Sequence, residues 1–446
     1  MAVLTHTQTK PSTSLKGNKT KRPWVKTPLI ESAALSEAAG CRIFLKLENI
    51  QPGGSFKSRA MGSLILHHIA NPANANRRLH FYINSGGNAG LAAVCAARSL
   101  GYPCTVVLPV TSSPLMVRKI RAAGATQVVQ YGETIAAAGE YMRGVLMAEN
   151  TGVEDDVVRI ALHPFDHEAI WEGNSTIVDE LAEQLPPWDD DDDDDDEDNE
   201  HKVRRENNGE LPVDAIVCSV GGGGLMNGLI QGIERRRKST PPKRDIHILA
   251  VETDGTASLA LALQKNALVT LPKVTSMAVS LACVRISQRT FDYCMSPPPG
   301  IAIHSVTLSD AEAARGCLRL ADDERILVEL ACGVCVEAVV GDTPKLRGTK
   351  RKMISSHADE GYADEQTAAG KHRKANGHVS TSASADSALG SDEEYEIVSR
   401  EQLSRLKEAI PDLTPDSRVV IIVCGGSNVT TGMASEWREK LDQGWV

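Results

Sequence analysis

The chain has 446 residues, 41% of them hydrophobic and 24% charged, which suits a packed protein of two or more domains or one large α/β unit with insertions. Its formal net charge of −10 is misleading, because the run 189–200 carries 11 acidic groups and leaves the rest at about +1, too neutral to favour nucleic acid. No apolar run approaches the roughly 20 residues of a membrane span, and ten cysteines without a framework spacing fit reduced thiols better than disulfides or a zinc site.

Residues 1–22 read as a disordered lead. The first 30 residues lack acids and are rich in Thr and Lys, which leaves a transit peptide open. They show no apolar h-region, and Pro11 and Pro23 interrupt them, so a cytoplasmic protein is expected. Order begins at WVKTPLIES and the β-like CRIFLKLE, followed by the turn QPGGSFK and the helical SRAMGSLILHHIA. Apolar β runs then alternate with helical patterns. LHFYINS leads to NAGLAAVCAARSLG, CTVVLPV to SPLMVRKIRAAG, and TQVVQYG to ETIAAAGEYMRGVLMAEN. VVRIAL leads to HPFDHEAIWEGNSTIVDELAEQL, DAIVCSV to GLMNGLIQGIERRR, and IHILAVE to ASLALALQK. This alternation predicts an α/β fold of mostly parallel sheets covered on both faces, and the length allows two of them. Two segments break the rhythm, the acidic 189–208 and the Lys/Ser/Ala/Gly/Asp-rich 343–393, and both read as disordered insertions. There is no internal repeat.

Three glycine-rich turns follow β runs. SVGGGGLMNG places Gly221, Gly222, Gly223 and Gly224 before a helix, where backbone N–H groups and the helix N-terminus suit a phosphate. A tight strand–helix turn is the alternative. A dinucleotide fingerprint fails at its third glycine, which is Asn227, although Glu252 could imitate its ribose acid; no Walker loop occurs. NSGGNAG offers Ser85, Gly86, Gly87 and Asn88 as a small-anion site or as a plain capped helix entry. The third turn is VCGGSN, with Cys424 at the end of a β run.

In order along the chain, KLENIQPGGSFKSRA, SGGNAG, PFDHEAIWEGN, SVGGGGL and VCGGSN resemble the fold-type II pyridoxal-phosphate enzymes, and among them the L-serine/L-threonine dehydratases. The resemblance runs from about Trp24 to the C-terminal helix, leaving out the two insertions. It implies two domains with open, mostly parallel sheets flanked by helices. Residues 23–57 and 166–446 would form the large cofactor-binding domain, and 58–165 the smaller substrate-side domain.

For the site, the resemblance implies that Lys57 forms a Schiff base with pyridoxal 5′-phosphate and later moves the Cα proton. A nucleophilic lysine must spend time deprotonated, so its pKa should be depressed. Phe56 would lie against the pyridine ring, and Asn88 would bond the 3′-oxygen. Ser85, Gly86 and Gly87 would hold the substrate carboxylate, with Gly221 to Gly224 and Leu225 at the 5′-phosphate. Cys424 would be the neutral partner of the ring nitrogen, which favours prompt β-elimination over transamination and leans towards the serine dehydratase branch. Serine would then give aminoacrylate, hydrolysed to pyruvate and ammonia, and threonine would give 2-oxobutyrate. A monovalent cation such as potassium is implied at Glu252, Thr256 and Ser258, with carbonyls of Leu281 and Cys283; a helix-capping role for Glu252 stands beside it.

A homodimer is the family expectation, with no nucleic-acid or membrane partner. The short stretch after VCGGSN points to a catabolic enzyme without a regulatory domain. Departures from the family pattern are Leu330 for proline in ELACG, His167-Glu168 for Asp-Pro, Ala282 for glycine, and Ser280 where a small apolar residue faces the ring. The alternatives are a β-replacement enzyme of the cysteine synthase kind, a non-catalytic cofactor-binding homologue and, more remotely, a nicotinamide-binding protein.

Overall fold

The alternating β and helical patterns become ten strands in two sheets in a computed structural model that describes residues 21–148, 156–188, 211–237, 244–341 and 404–446. The lead up to residue 20 and both expected insertions lie outside the described residues. The strands are β1 (Leu29–Glu31), β2 (Arg42–Lys46), β3 (Arg78–Ile83), β4 (Cys104–Leu108) and β5 (Gln127–Gln130). They continue as β6 (Val157–Ala161), β7 (Ala215–Ser219), β8 (Ile246–Thr253), β9 (Ile301–Leu308) and β10 (Arg418–Ile422). The helices begin with α1 (Ala33–Ala39), α2 (Lys57–Ala70), α3 (Asn88–Ser99), α4 (Pro114–Ala122), α5 (Ile135–Tyr141) and α6 (Glu168–Gln184). After these come α7 (Gly224–Arg237), α8 (Ser258–Lys265), α9 (Gln288–Met295), α10 (Asp310–Asp323), α11 (Leu330–Val340), α12 (Arg405–Ala409) and α13 (Thr431–Asp442).

One sheet has the order β1-β2-β10-β7-β8-β9 and the other β5-β4-β3-β6. Every pairing is parallel except β1 with β2 at the edge. Strands β4, β7 and β10 are buried along their whole length, as expected where helices cover both faces of a parallel sheet. Each sheet has its own apolar core. Ile43, Val217, Leu249 and Ile421 belong to the first, while Ile65, Phe81, Val106 and Ile120 belong to the second.

Strands β2, β10 and β7 are neighbours and run parallel, so their C-terminal ends share one edge. The turn bearing Lys57 follows β2, Cys424 follows β10, and the glycine tetrad follows β7. Ligands of open α/β sheets bind in the crevice outside such strand ends. Parallel pairing thereby collects three motifs that are distant in sequence.

A buried charge cluster fastens the first turn of α2. Arg59, two residues beyond Lys57, is fully buried, and its guanidinium reaches Glu48 at 2.7 and 2.8 Å and Glu180 at 2.6 and 2.8 Å. Lys46, also fully buried, donates to Glu180 at 2.6 Å and to Thr27 O at 2.8 Å. Two cations thus face two carboxylates, and the planar fork of arginine satisfies both at once. Removing Arg59 would strand Glu48 in the interior. Arg59→Met is expected to destabilise the protein by about 3–5 kcal/mol, read as a lower denaturant midpoint, and an unchanged midpoint would refute this role.

Candidate active site

Lys57 is the first residue of α2, and its position depends on the loop after β10. Phe56 N–H donates to Cys424 O (3.2 Å), Gly426 N–H donates to Gly54 O (2.9 Å), and Ser55 pairs with Gly425 in an isolated bridge. Gly425 and Gly426 have φ of +83° and +120°, and a Cβ on Gly425 would lie 2.5 Å from Gly54 O, so this close docking needs glycine. Lys57 is half-buried, with Nζ donating to Pro164 O at 2.9 Å and lying 5.0 Å from the centre of the Phe56 ring. Burial pushes its amine down to about 8, against the opposing influence of Cys283 and Cys424.

The glycine tetrad lies close by. No acceptor among the described residues takes the backbone N–H groups of Gly221, Gly222, Gly223, Gly224 and Leu225. These five consecutive donors lie where α7 begins, a place that suits an anion. Gly223 has φ +91°, and a Cβ there would meet Thr290 Oγ1 at 1.8 Å. Beneath Gly222 lies the ring of Phe165, which a Cβ would meet at 2.3 Å. The segment Pro164–Phe165 therefore touches both Lys57 and the cradle. Asn227, the residue that breaks the dinucleotide fingerprint, is fully buried and braces the loop through Ser287 (3.1 Å) and Thr290 (3.0 Å).

The Ser85–Asn88 turn leads from β3 of the four-stranded sheet into α3. No acceptor among the described residues takes the N–H groups of Gly86, Asn88 or Ala89, so a second set of donors opens at this helix start. Asn88 Oδ1 accepts from Ser427 N–H (2.9 Å), and its Nδ2 donates to Glu329 (3.1 Å) and Ser280 (3.2 Å). Cys424 is buried, its Sγ 3.5 Å from Ser219 Oγ. A hydrogen bond from Cys332 lowers the Cys424 thiol pKa, with help from Ser219 and against burial.

Glu252, Thr256 and Ser258 come together at the start of α8. Glu252 is fully buried and accepts from Leu259 N–H and Ala260 N–H, each at 2.8 Å, so it does cap this helix. Burial raises its carboxyl to about 7, with the backbone N–H bonds of Leu259 and Ala260 opposing. Thr256 Oγ1 is engaged by Thr253 Oγ1 at 2.7 Å, Ser258 is fully buried, and Leu281 O already accepts from Cys283 N–H at 2.6 Å.

The departures from the family pattern fit locally. His167 caps α6 by accepting from Ala169 N–H (3.0 Å). Ala282 has φ −66°, which any residue adopts, and Leu330 opens α11, where proline and ordinary helix formers are both tolerated. A separate cavity of about 600 Å³, lined by Leu66, His67, His167, Glu172 and Gln231 among others, holds none of the expected site residues.

Parallel sheets with a lysine and an anion cradle beyond the ends of β2 and β7, on either side of β10, suit a cofactor-dependent α/β enzyme. Residues 21–355 match the family described as pyridoxal-phosphate dependent enzyme, and the chain belongs to it. It is similar to the L-serine dehydratase of Saccharomyces cerevisiae, at 42% identity over 310 residues that cover 69% of this chain and 83% of the yeast protein. It is also similar to the L-serine dehydratase/L-threonine deaminase of Mus musculus, at 35% identity over 315 residues, 71% of this chain and 82% of that one. Among solved structures, a fungal L-serine ammonia-lyase from Rhizomucor miehei matches with a TM-score of 0.66 and 25% identity, covering 94% of this chain and 99% of that chain. Maize serine racemase, at 18% identity and a TM-score of 0.60 over 94% of both chains, shares the fold.

Pyridoxal phosphate fits this site on the structure's own terms. The five unclaimed N–H groups suit its phosphate, and Lys57 offers an amine held partly neutral. Sequence reasoning did not single out Glu329 as a site residue, nor the part played by Pro164, Phe165, Asn227 and Thr290 in supporting Lys57 and the cradle. The ELACG motif carried the only signal for Glu329. Covalent capture of pyridoxal phosphate needs neutral Lys57, so its rate should rise with pH and reach half its maximum near 8. A half-maximum near the ordinary lysine value of 10.5 would contradict the geometry.

Proposed function

We propose that this protein is a pyridoxal-phosphate-dependent lyase that deaminates L-serine to pyruvate and ammonia, and L-threonine to 2-oxobutyrate and ammonia. The observation that carries this reading is that one segment, Pro164–Phe165, contacts both the Lys57 amine and the five-donor glycine cradle. The cofactor supplies an electron sink conjugated to the substrate nitrogen, which acidifies Cα. Lys57 holds the cofactor and moves the Cα proton, as its depressed pKa allows. The N–H groups of Gly221 to Gly224 and Leu225 bind the phosphate, while Ser85, Gly86, Gly87 and Asn88 hold the substrate carboxylate, with Asn88 also on the ring oxygen. Phe56 packs beside the ring, and Cys424 faces its nitrogen.

The reading extends to a monovalent cation such as potassium at Glu252, Thr256 and Ser258. In its support, Glu252 is a fully buried carboxylate without an ion pair among the described residues. It also extends to two lobes, 23–57 with 166–446 and 58–165, supported by an apolar core on the six-stranded sheet that is separate from the clusters on the four-stranded one. A homodimer is part of the proposal, supported by Met277, Val279 and Val284, which are exposed apolar side chains on one loop. A cytoplasmic location, supported by ten free cysteines that suit a reducing compartment, and a place in amino-acid catabolism that feeds gluconeogenesis complete it. No described helix is long and apolar enough to cross a membrane.

Purified protein loaded with pyridoxal phosphate should release pyruvate and ammonia in equal amounts from L-serine with no added nucleophile, and Lys57→Ala should abolish the release. Turnover only in the presence of a thiol or sulfide would instead identify a β-replacement enzyme.

A further inference from the structure

Glu329 stands just before α11 but does not cap it; its carboxylate turns away into the site. It is 5% exposed and takes part in no ion pair among the described residues. Its three partners are all donors. Oε1 accepts from Asn88 Nδ2 at 3.1 Å and from Asn428 N–H at 2.7 Å, and Oε2 accepts from the hydroxyl of Ser280. Gly426 leaves room for this carboxyl, since a Cβ there would lie 2.4 Å from Glu329 Cδ.

These contacts decide which way the Asn88 amide points. Its two ends are nearly identical in shape, so only their partners can distinguish them. Ser427 N–H can only donate, which places Oδ1 against it at 2.9 Å. A carboxylate can only accept, which places Nδ2 against Glu329. One Nδ2 hydrogen is then committed to Glu329, and the other is directed towards Ser280 at 3.2 Å, on the loop that also reaches the glycine cradle at Leu281.

We propose that Glu329 is a positioning residue that locks the Asn88 amide so that the Nδ2 hydrogen resting on Ser280 at 3.2 Å is the one turned to the ring oxygen when pyridoxal phosphate binds. This rests on the cofactor reading above. Glu329 belongs to the six-stranded-sheet side and Asn88 to the four-stranded-sheet side, so the same contact also registers the two sides across the site.

The test compares Glu329→Ala, Glu329→Gln, Asn88→Ala and the double alanine variant of the full chain. For each, the dissociation constant of pyridoxal phosphate, the position of its visible absorption band and the thermal midpoint are measured. Glu329→Ala is expected to weaken binding by about tenfold to a hundredfold and to shift the band as Asn88→Ala does. The double variant should lose no more than either single one, because both remove the same interaction. Glu329→Gln should restore affinity and band, since its carbonyl oxygen still accepts from Asn88 and Asn428 while its amide donates to the Ser280 oxygen. If Glu329→Ala does not fold, Glu329→Asp serves instead, because it withdraws the carboxylate by one methylene and should show the same change in smaller measure. Wild-type affinity and band in the alanine or aspartate variant, or additive losses in the double variant, would overturn the proposal and leave the cofactor reading intact. A wild-type chain that never binds pyridoxal phosphate would overturn both.

Discussion

Two backbone hydrogen bonds hold the lysine turn against the end of β10, from Phe56 N–H to Cys424 O and from Gly426 N–H to Gly54 O. Everything attributed to the site depends on this docking. It fixes where α2 begins, and with it the root of the Lys57 side chain. It also places Cys424 beside that turn and leaves the glycine cradle one strand away. Side chains could not approach so closely, which is why glycines sit on both sides of the contact.

Burial and charge then divide the labour. Around Arg59, two cations and two carboxylates are sealed together, so the charges compensate one another and the first turn of α2 is rigid. Around Lys57 no carboxylate among the described residues forms an ion pair with it, and burial pulls its pKa from 10.5 to about 8 against Cys283 and Cys424. At neutral pH that raises the reactive, uncharged fraction by about 300-fold. Two residues apart on one helix, one cation is locked as a charge and the other is made easier to deprotonate.

Much of this was legible in the sequence. Alternating patterns announced the parallel sheets, and glycine runs at strand ends announced backbone donors, because both signals are local. Asn227 showed locally that the third glycine of a dinucleotide site was missing, but not that it would brace the loop through Ser287 and Thr290. Glu329 reads in sequence as an acid in front of an apolar helix, which is where capping is expected. Its true partners are Asn88, Ser280 and Asn428, far away along the chain, and only folding brings them together. Pro164 was equally silent, since it acts through a carbonyl oxygen that every residue carries. The resemblance to a known family named the roles, while the structure supplied the contacts that make those roles physically reasonable.

The central claim is that one lysine, set beside the glycine cradle, holds the cofactor. Borohydride reduction of the loaded protein, followed by proteolysis and mass mapping, tests it most directly. A single pyridoxyl group on Lys57 is the expected result. A label on another lysine, or none at all, would contradict the account.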